Sequence, residues 1–312
     1  MRDTFVKILV ELAKENKNIE LMTGDLGFGV LKPFWEQCPD QFTNAGIAEQ
    51  NMTSVAAGMA LSGKTVFTYS IGNFPTLRCL EQIRNDCAYH NADVKIVCVG
   101  GGFAYGSLGM SHHATEDIAI MRSLPGVTVV CPGDPVEAEL ATKVIAKYPG
   151  TCYLRLGRGG EARVHKEVFE FQIGKAVKIR EAEGNTEKIA VFSTGAILDE
   201  VTKACHCLEE KGFSIIQYSF PTVKPADRQT IEACAKKADL IVTVEEHNKV
   251  GGFGSAVAEV LAELGEKVKL LRLGIEDCYS TEVGSQEYLR KQYGIEKKEI
   301  VRKIEGSYGR KI

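Results

Sequence analysis

Short apolar runs alternate with amphipathic stretches from one end of the chain to the other. Runs rich in β-branched residues fall at 19–23, 65–70, 94–99, 127–131, 152–156, 189–193, 214–219, 240–244 and 268–273. Between most of them apolar positions recur at helical spacing, as with Phe5, Ile8, Leu9 and Leu12, or Val136, Leu140 and Val144. The second set follows GDPVEAE, a helix-start sequence with an acidic cap and a proline in the first turn. Near-continuous apolar strands separated by helices predict parallel sheets covered on both faces, an α/β fold. After Gly157 the pattern breaks into a charged, glycine-containing stretch and restarts near residue 187. This divides the chain into units 1–157 and 187–312 joined by a linker, 158–186, each unit with enough strands for a doubly wound, three-layer domain. In such sheets ligands bind outside the carboxyl ends of the strands, so the loops that follow strands are where chemistry is sought.

Composition narrows the partners. The 312 residues are 44% hydrophobic and 25% charged, the balance of a folded protein of about two domains at roughly 150 residues each. A net charge of -3 argues against nucleic acid or an anionic membrane surface. Residues 96–115 contain no Asp, Glu, Lys or Arg, a length that could span a bilayer. Their glycines, with His112 and His113, make them instead a buried strand entering a polar loop, and no membrane span is expected. The first helix is charged and amphipathic and no signal-peptide pattern precedes it; most of the ten cysteines sit in apolar runs. Together these predict buried thiols in a reducing compartment, the cytoplasm. Cys205, His206 and Cys207 lack the second pair that a structural zinc site needs, and no metal site is expected.

Four loops of the first unit hold more chemistry than packing requires. In TGDLGFG, Asp25 between glycines either closes a turn or offers its carboxylate at a strand end. In NAGIAEQNMTSVAAG, Glu49 opens a helix of small apolar residues. It is either a solvated first-turn carboxylate favoured by the helix dipole, or a buried carboxyl able to hold or donate a proton to a ligand ring nitrogen. In YSIGNFPTLRCLEQIRND, Phe74 staples the following helix or stacks on a ligand. Arg78, near that helix's N-terminus, is explained by an anionic partner. In GGGFAYGSLGMSHHATED, adjacent histidines suit phosphate binding, proton transfer or, less well, metal. No GxGxxG, GxxxxGK[ST], HExxH or GxSxG motif supports dinucleotide binding, NTP hydrolysis, zinc proteolysis or serine hydrolysis.

The segment GIAEQNM, residues 46–52, resembles that carrying the catalytic glutamate of the transketolase group of thiamine-diphosphate enzymes. TGDLG, GNFPTLRCLEQIRND, SHHATEDIAIMRSLPGVTVVCPGDPVE, RLGRGG and VEEHNKVGGFGSAVAE extend the resemblance, in the family's order, over nearly the whole chain. It implies a pyrimidine-binding domain followed by a transketolase C-terminal domain. Glu49 would then hydrogen-bond the cofactor's aminopyrimidine, with Phe74, and near it Tyr69, stacking on that ring and Asp25 beside the cofactor. His112 would contact the sugar donor or its phosphate, and Arg78 and Arg158 would receive a substrate phosphate. The family's GDG motif, which holds diphosphate with Mg2+ or Ca2+, is missing from these residues. The resemblance is therefore to the C-terminal section of a split transketolase, inactive until an N-terminal partner subunit supplies that motif in an α2β2 assembly. The implied reaction moves a two-carbon glycolaldehyde unit from a ketose phosphate to an aldose, as in pentose phosphate chemistry.

One loop departs from the pattern. Where the family commonly reads GEDGPTH or GADGQTH, this chain reads GSLGMSH, so Leu108 replaces an acidic residue and His113 a glutamine. Leucine cannot accept a hydrogen bond from a sugar hydroxyl. A carboligase similar to 1-deoxyxylulose-5-phosphate synthase, or a non-catalytic partner subunit, are the competing expectations. In the second unit, His247 and the GGFG turn at 251–254 read first as turn capping, and otherwise as touching the interface or the cofactor surroundings.

Overall fold

A computed structural model of the protein describes residues 1–181, 188–265 and 267–308. The strands are β1 (Ile19–Thr23), β2 (Phe42–Asn44), β3 (Thr65–Ile71), β4 (Val94–Val99), β5 (Thr128–Val130), β6 (Cys152–Leu156), β7 (Val177–Arg180), β8 (Lys188–Thr194), β9 (Ser214–Ser219), β10 (Thr222–Lys224), β11 (Leu240–Asn248) and β12 (Lys269–Ile275). They form two α/β sheets, ordered β10-β5-β6-β4-β3-β1-β2 and β12-β11-β8-β9-β7. All pairings are parallel except those of the edge strands β10 and β7. Every residue of β1, β4 and β6 is buried, as expected of parallel strands with helices on both faces. Lys95 is tolerated within β4 because its ammonium donates to Asp93 and to the carbonyls of Tyr148 and Gly150.

Helices form where the pattern places them. The helix Arg2–Glu15 buries Phe5, Val6, Ile8 and Leu9. The helix Pro135–Ile145 is capped by Asp134, whose carboxylate accepts from the Glu137 amide at 2.9 Å. Three strands lie outside the sequence expectation: β2, β7 and β10. The stretch read as linker contains β7, and the expected restart near 187 lies outside the described residues. All ten cysteines are unpaired, eight of them buried. Burial pushes the thiols of Cys87, Cys98 and Cys205 up to about 12, so they stay protonated. Among the described residues no helix is long and apolar enough to cross a membrane.

The two sheets are joined. Strand β10, from the second half of the chain, pairs with β5 at the edge of the first sheet. One hydrophobic core runs from Met52, Ile96 and Tyr153 to Phe192, Phe220 and Phe253. Beside it lies a buried polar cluster. Asp117 accepts from the Tyr153 hydroxyl at 2.6 Å and from Arg155 Nε at 2.7 Å, while Arg155 also donates to the Ala114 and Glu246 carbonyls. His247, on β11, accepts from the Ala119 amide at Nε2 and faces the Asn248 carbonyl with Nδ1, so the proton is on Nδ1. Strand β11 therefore continues past its apolar run through Glu245, Glu246 and His247, all buried and partnered.

This cluster predicts a pH dependence. Burial, against the Asp117 charge, depresses His247 to about 4. The unfolded chain takes up a proton below the ordinary histidine value of about 6.5 that the folded chain refuses, so this contribution to stability is lost as pH falls from about 6.5 to about 4. Glu245 acts oppositely. Burial raises its carboxyl to about 7 although the Phe253 and Gly254 amides donate to it. Its contribution is present below the ordinary glutamate value and lost as pH rises through about 7. In denaturant titrations between pH 4 and 7, His247→Gln should lose less stability on acidification than the parent; equal losses would contradict the assignment.

Candidate active site

Strand order assembles the site. Because β2, β1, β3 and β4 are consecutive and parallel, the loops after them emerge side by side at one sheet edge. They bear Asp25, Glu49, Phe74 and His112. Glu49 is the first residue of the helix Glu49–Leu61, only 3% exposed, where unpaired amides favour a carboxylate. Its Oε2 accepts from Arg78 at 3.0 Å. That guanidinium lies 4.4 Å from the centre of the Phe74 ring, a cation–π contact. The half-buried Phe74 ring meets His112 edge-on at 5.3 Å. Four residues from three separate stretches of the chain thus form one chain of contacts: carboxylate, guanidinium, aromatic ring, imidazole.

Asp25 is tied to the same edge. It adopts a left-handed backbone with φ 57°, and its side chain accepts from Asn44 Nδ2 at 3.0 Å. The side-chain oxygen of Asn44 accepts from the Asp25 and Gly46 amides. This clip joins the loops after β1 and β2 and sets the approach to Glu49. Sequence reading gave Asn44 no part, and only its position at the end of a three-residue strand marks it. Gly24 is needed beside it: a Cβ there would come to 3.2 Å from Glu49 Cγ. Among the described residues no group of three or more His, Cys, Asp or Glu side chains is placed to hold a metal.

The transketolase pyrimidine binding domain matches residues 1–160 and the transketolase C-terminal domain residues 174–300. The chain belongs to the transketolase family. A putative transketolase C-terminal section from Methanocaldococcus jannaschii is 38% identical over 97% of this chain and 95% of its own length. An apulose-4-phosphate transketolase subunit from Phocaeicola vulgatus is 35% identical over 96% and 94%. A solved split-gene transketolase, described as an inactive beta4 tetramer, superimposes with a TM-score of 0.86 at 32% identity, over 98% of this chain and 96% of its own. Membership implies dependence on thiamine diphosphate.

Within this candidate site the expected residues separate. Tyr69 does not join Phe74. It is 2% exposed and nearly parallel to Phe5 at 6.3 Å, because its position on β3 directs it into the core under the first helix, where burial raises its phenol. The Tyr69 expectation is corrected accordingly. Arg78, expected at a substrate phosphate, is engaged by Glu49. Arg158 contacts neither. Its guanidinium lies 5.2 Å from the Tyr105 ring in an interdomain cleft of about 450 Å³ that Ser107, Lys203 and Arg290 also line. The two histidines diverge: His112 is half-buried, with Nδ1 3.0 Å from Ser111 Oγ, while His113 is buried against Phe103 with Nε2 3.3 Å from the Gly106 carbonyl. Burial lowers His113 below the ordinary histidine value, so it stays neutral with its proton on Nε2. Leu108 and Met110 are each more than half exposed on the same loop.

Proposed function

We propose that the chain is the C-terminal subunit of a split transketolase, moving a two-carbon glycolaldehyde unit from a ketose phosphate to an aldose acceptor. The observation that carries this reading is the contact chain Glu49–Arg78–Phe74–His112 at one sheet edge. The site suits an aminopyrimidine. It offers a shielded carboxyl, a half-exposed aromatic face, and a backbone at Gly24 without the Cβ that would crowd Glu49. Thiamine diphosphate, when bound, supplies the thiazolium carbanion that breaks the carbon–carbon bond. Glu49 holds or passes the proton at the pyrimidine ring nitrogen, Phe74 offers its face to the ring, and Asp25, clipped to Asn44, steadies the adjoining loop. Arg78 gives one terminal nitrogen to Glu49, and its remaining N–H groups are donors for an anion. His112 faces the donor sugar, and Arg158 in its cleft suits a phosphate dianion.

The diphosphate and its Mg2+ or Ca2+ belong, on this reading, to an N-terminal partner, since these residues contain no GDG segment. The split form of the relatives, and the solved one described as an inactive beta4 tetramer, support a partner-dependent α2β2 enzyme. So does the surface around the site. Ile47 is 79% exposed, and Val55, Leu77 and Met110 are also exposed near Glu49, an apolar rim that a second chain would cover. Unpaired thiols suit a reducing compartment, and we place the enzyme in the cytoplasm.

Leu108 favours a second reading, a carboligase acting on a less hydroxylated substrate such as a 2-oxo acid. Reconstituting the chain with its N-terminal partner, thiamine diphosphate and Mg2+ separates the two. Turnover of xylulose 5-phosphate with ribose 5-phosphate is expected. Turnover only of pyruvate with glyceraldehyde 3-phosphate would move the assignment to the second reading, and turnover of neither pair would sink both.

A further inference from the structure

The loop that carries Leu108, Met110 and His112 closes on itself at a narrow neck. Gly102 and Ala114 pair as an isolated antiparallel bridge, at 2.7 and 3.0 Å. From the first domain, Arg155 donates to the Ala114 carbonyl and the Asn73 side-chain amide donates to the His113 carbonyl. The second domain grips the neck as well. Glu246 on β11 accepts from the Phe103 amide at 2.6 Å, and the Asn248 amide donates to the Thr115 carbonyl at 2.8 Å. Gly102 adopts φ 65°, and a Cβ there would lie 2.5 Å from Glu246 Oε1, so the backbone approaches the carboxylate as closely as glycine allows. Above the neck, Phe103 stacks on Tyr293 at 5.1 Å, and the Gly284 amide donates to the Gly106 carbonyl at 3.3 Å.

Glu246 is itself held. It is 2% exposed, Arg290 donates to Oε2 through Nε at 2.6 Å, and Gln286 donates to both oxygens. A buried carboxylate costs several kcal/mol unless paired, and three hydrogen bonds from two side chains after Ser285, Gln286 and Arg290, satisfy this one. The expenditure of a charged pair at a loop neck, away from Glu49, needs a purpose that packing alone does not supply. We propose that Glu246 is a positioning residue: through the Phe103 amide it fixes the loop bearing His112 and Leu108 in its substrate-facing position, so that the second domain's part in the reaction is to seat that loop. The inference rests on the proposed transketolase site. Glu246 touches no reacting atom; it acts through residues 103–112.

Two measurements test it. Amide hydrogen exchange on the full-length chain reads the loop directly: Glu246→Ala speeds exchange over residues 102–115 by about tenfold or more, with distant strands unchanged. Glu246→Gln, which keeps an acceptor for the Phe103 amide, restores most of the protection. In the reconstituted enzyme Glu246→Ala raises KM for the ketose phosphate about tenfold, changes kcat by less than about threefold, and leaves thiamine diphosphate affinity unaltered. If Glu246→Ala does not fold, Glu246→Asp, which keeps the charge but withdraws the carboxylate by one methylene, bears the same test. Unchanged loop exchange together with unchanged KM would overturn the proposal, as would a uniform rise in exchange across the chain. A wild-type pair without turnover would count against the transketolase reading instead, and the exchange experiment would still decide the loop.

Discussion

Replacing Glu49 with alanine is expected to lower turnover of the reconstituted enzyme by on the order of a hundredfold or more while leaving the fold intact. The carboxyl sits at the first position of a helix, where alanine is an excellent helix former, so the backbone has no reason to change. The partner it abandons, Arg78, is 45% exposed and can be solvated, which limits the stability cost to about 1 kcal/mol or less. On the proposed reading, what is lost is the group that meets a ring nitrogen. Glu49→Gln should behave almost as badly, since an amide fills the same space but cannot take or give up the proton. Steady-state turnover with saturating thiamine diphosphate, read beside thermal melting, checks this. Undiminished activity would remove Glu49 from the chemistry and revive the reading of a subunit that only binds its partner.

How much of this was legible before the structure depends on range. Strands with continuous apolar runs, such as 94–99 and 152–156, coincide with β4 and β6, because burial on both faces leaves an unambiguous signature. The missed strands lack it. Strand β2 is the three-residue FTN at an edge, β7 alternates charge on an antiparallel edge, and β10 exists only because a distant part of the chain lends three residues to β5. The site follows the same rule. Glu49, Phe74 and His112 drew notice as candidates because each stands at a strand end whose residue types exceed what packing needs, and the fold gathers them at one sheet edge. That Arg78 turns to Glu49, and that adjacent histidines point apart, are facts of three-dimensional contact with no sequence trace. Tyr69 misled for a reason of geometry: it lies inside β3, which is buried on both faces, and not in the loop that follows it.

The second unit shows the limit most sharply. The apolar run of β11 ends at Val244, but the strand continues because Glu245, Glu246 and His247 meet the helix at 253, the loop neck and the Ala119 amide respectively. Charged residues inside a strand become intelligible only when their partners, more than a hundred residues away for two of them, are known. Sequence periodicity carries no information on such partners.

The largest loss of stability is expected from Asp117→Ala. Burial would raise the Asp117 carboxyl, but Arg155 and His247, with the Tyr153 hydroxyl, outweigh it and hold it below the usual aspartate range. Asp117 is fully buried and Arg155 nearly so. Removing the carboxylate strands the guanidinium in the interior, with carbonyl acceptors but no counter-charge, at a cost of about 3–5 kcal/mol. The sign with pH follows. A depressed carboxyl stabilises above the unfolded value near 4, and that stabilisation is lost as pH falls through the folded value, so the variant should show a shallower acid limb than the parent. Removing both charges should cost much less than removing one: Asp117→Ala with Arg155→Met leaves neither partner of the pair buried alone, and the double-mutant cycle isolates the coupling. Chemical denaturation of the four proteins at pH 7 measures it. A loss below about 1 kcal/mol in Asp117→Ala would mean that water reaches Arg155, and the first domain would then be held by its apolar core rather than by this ion pair.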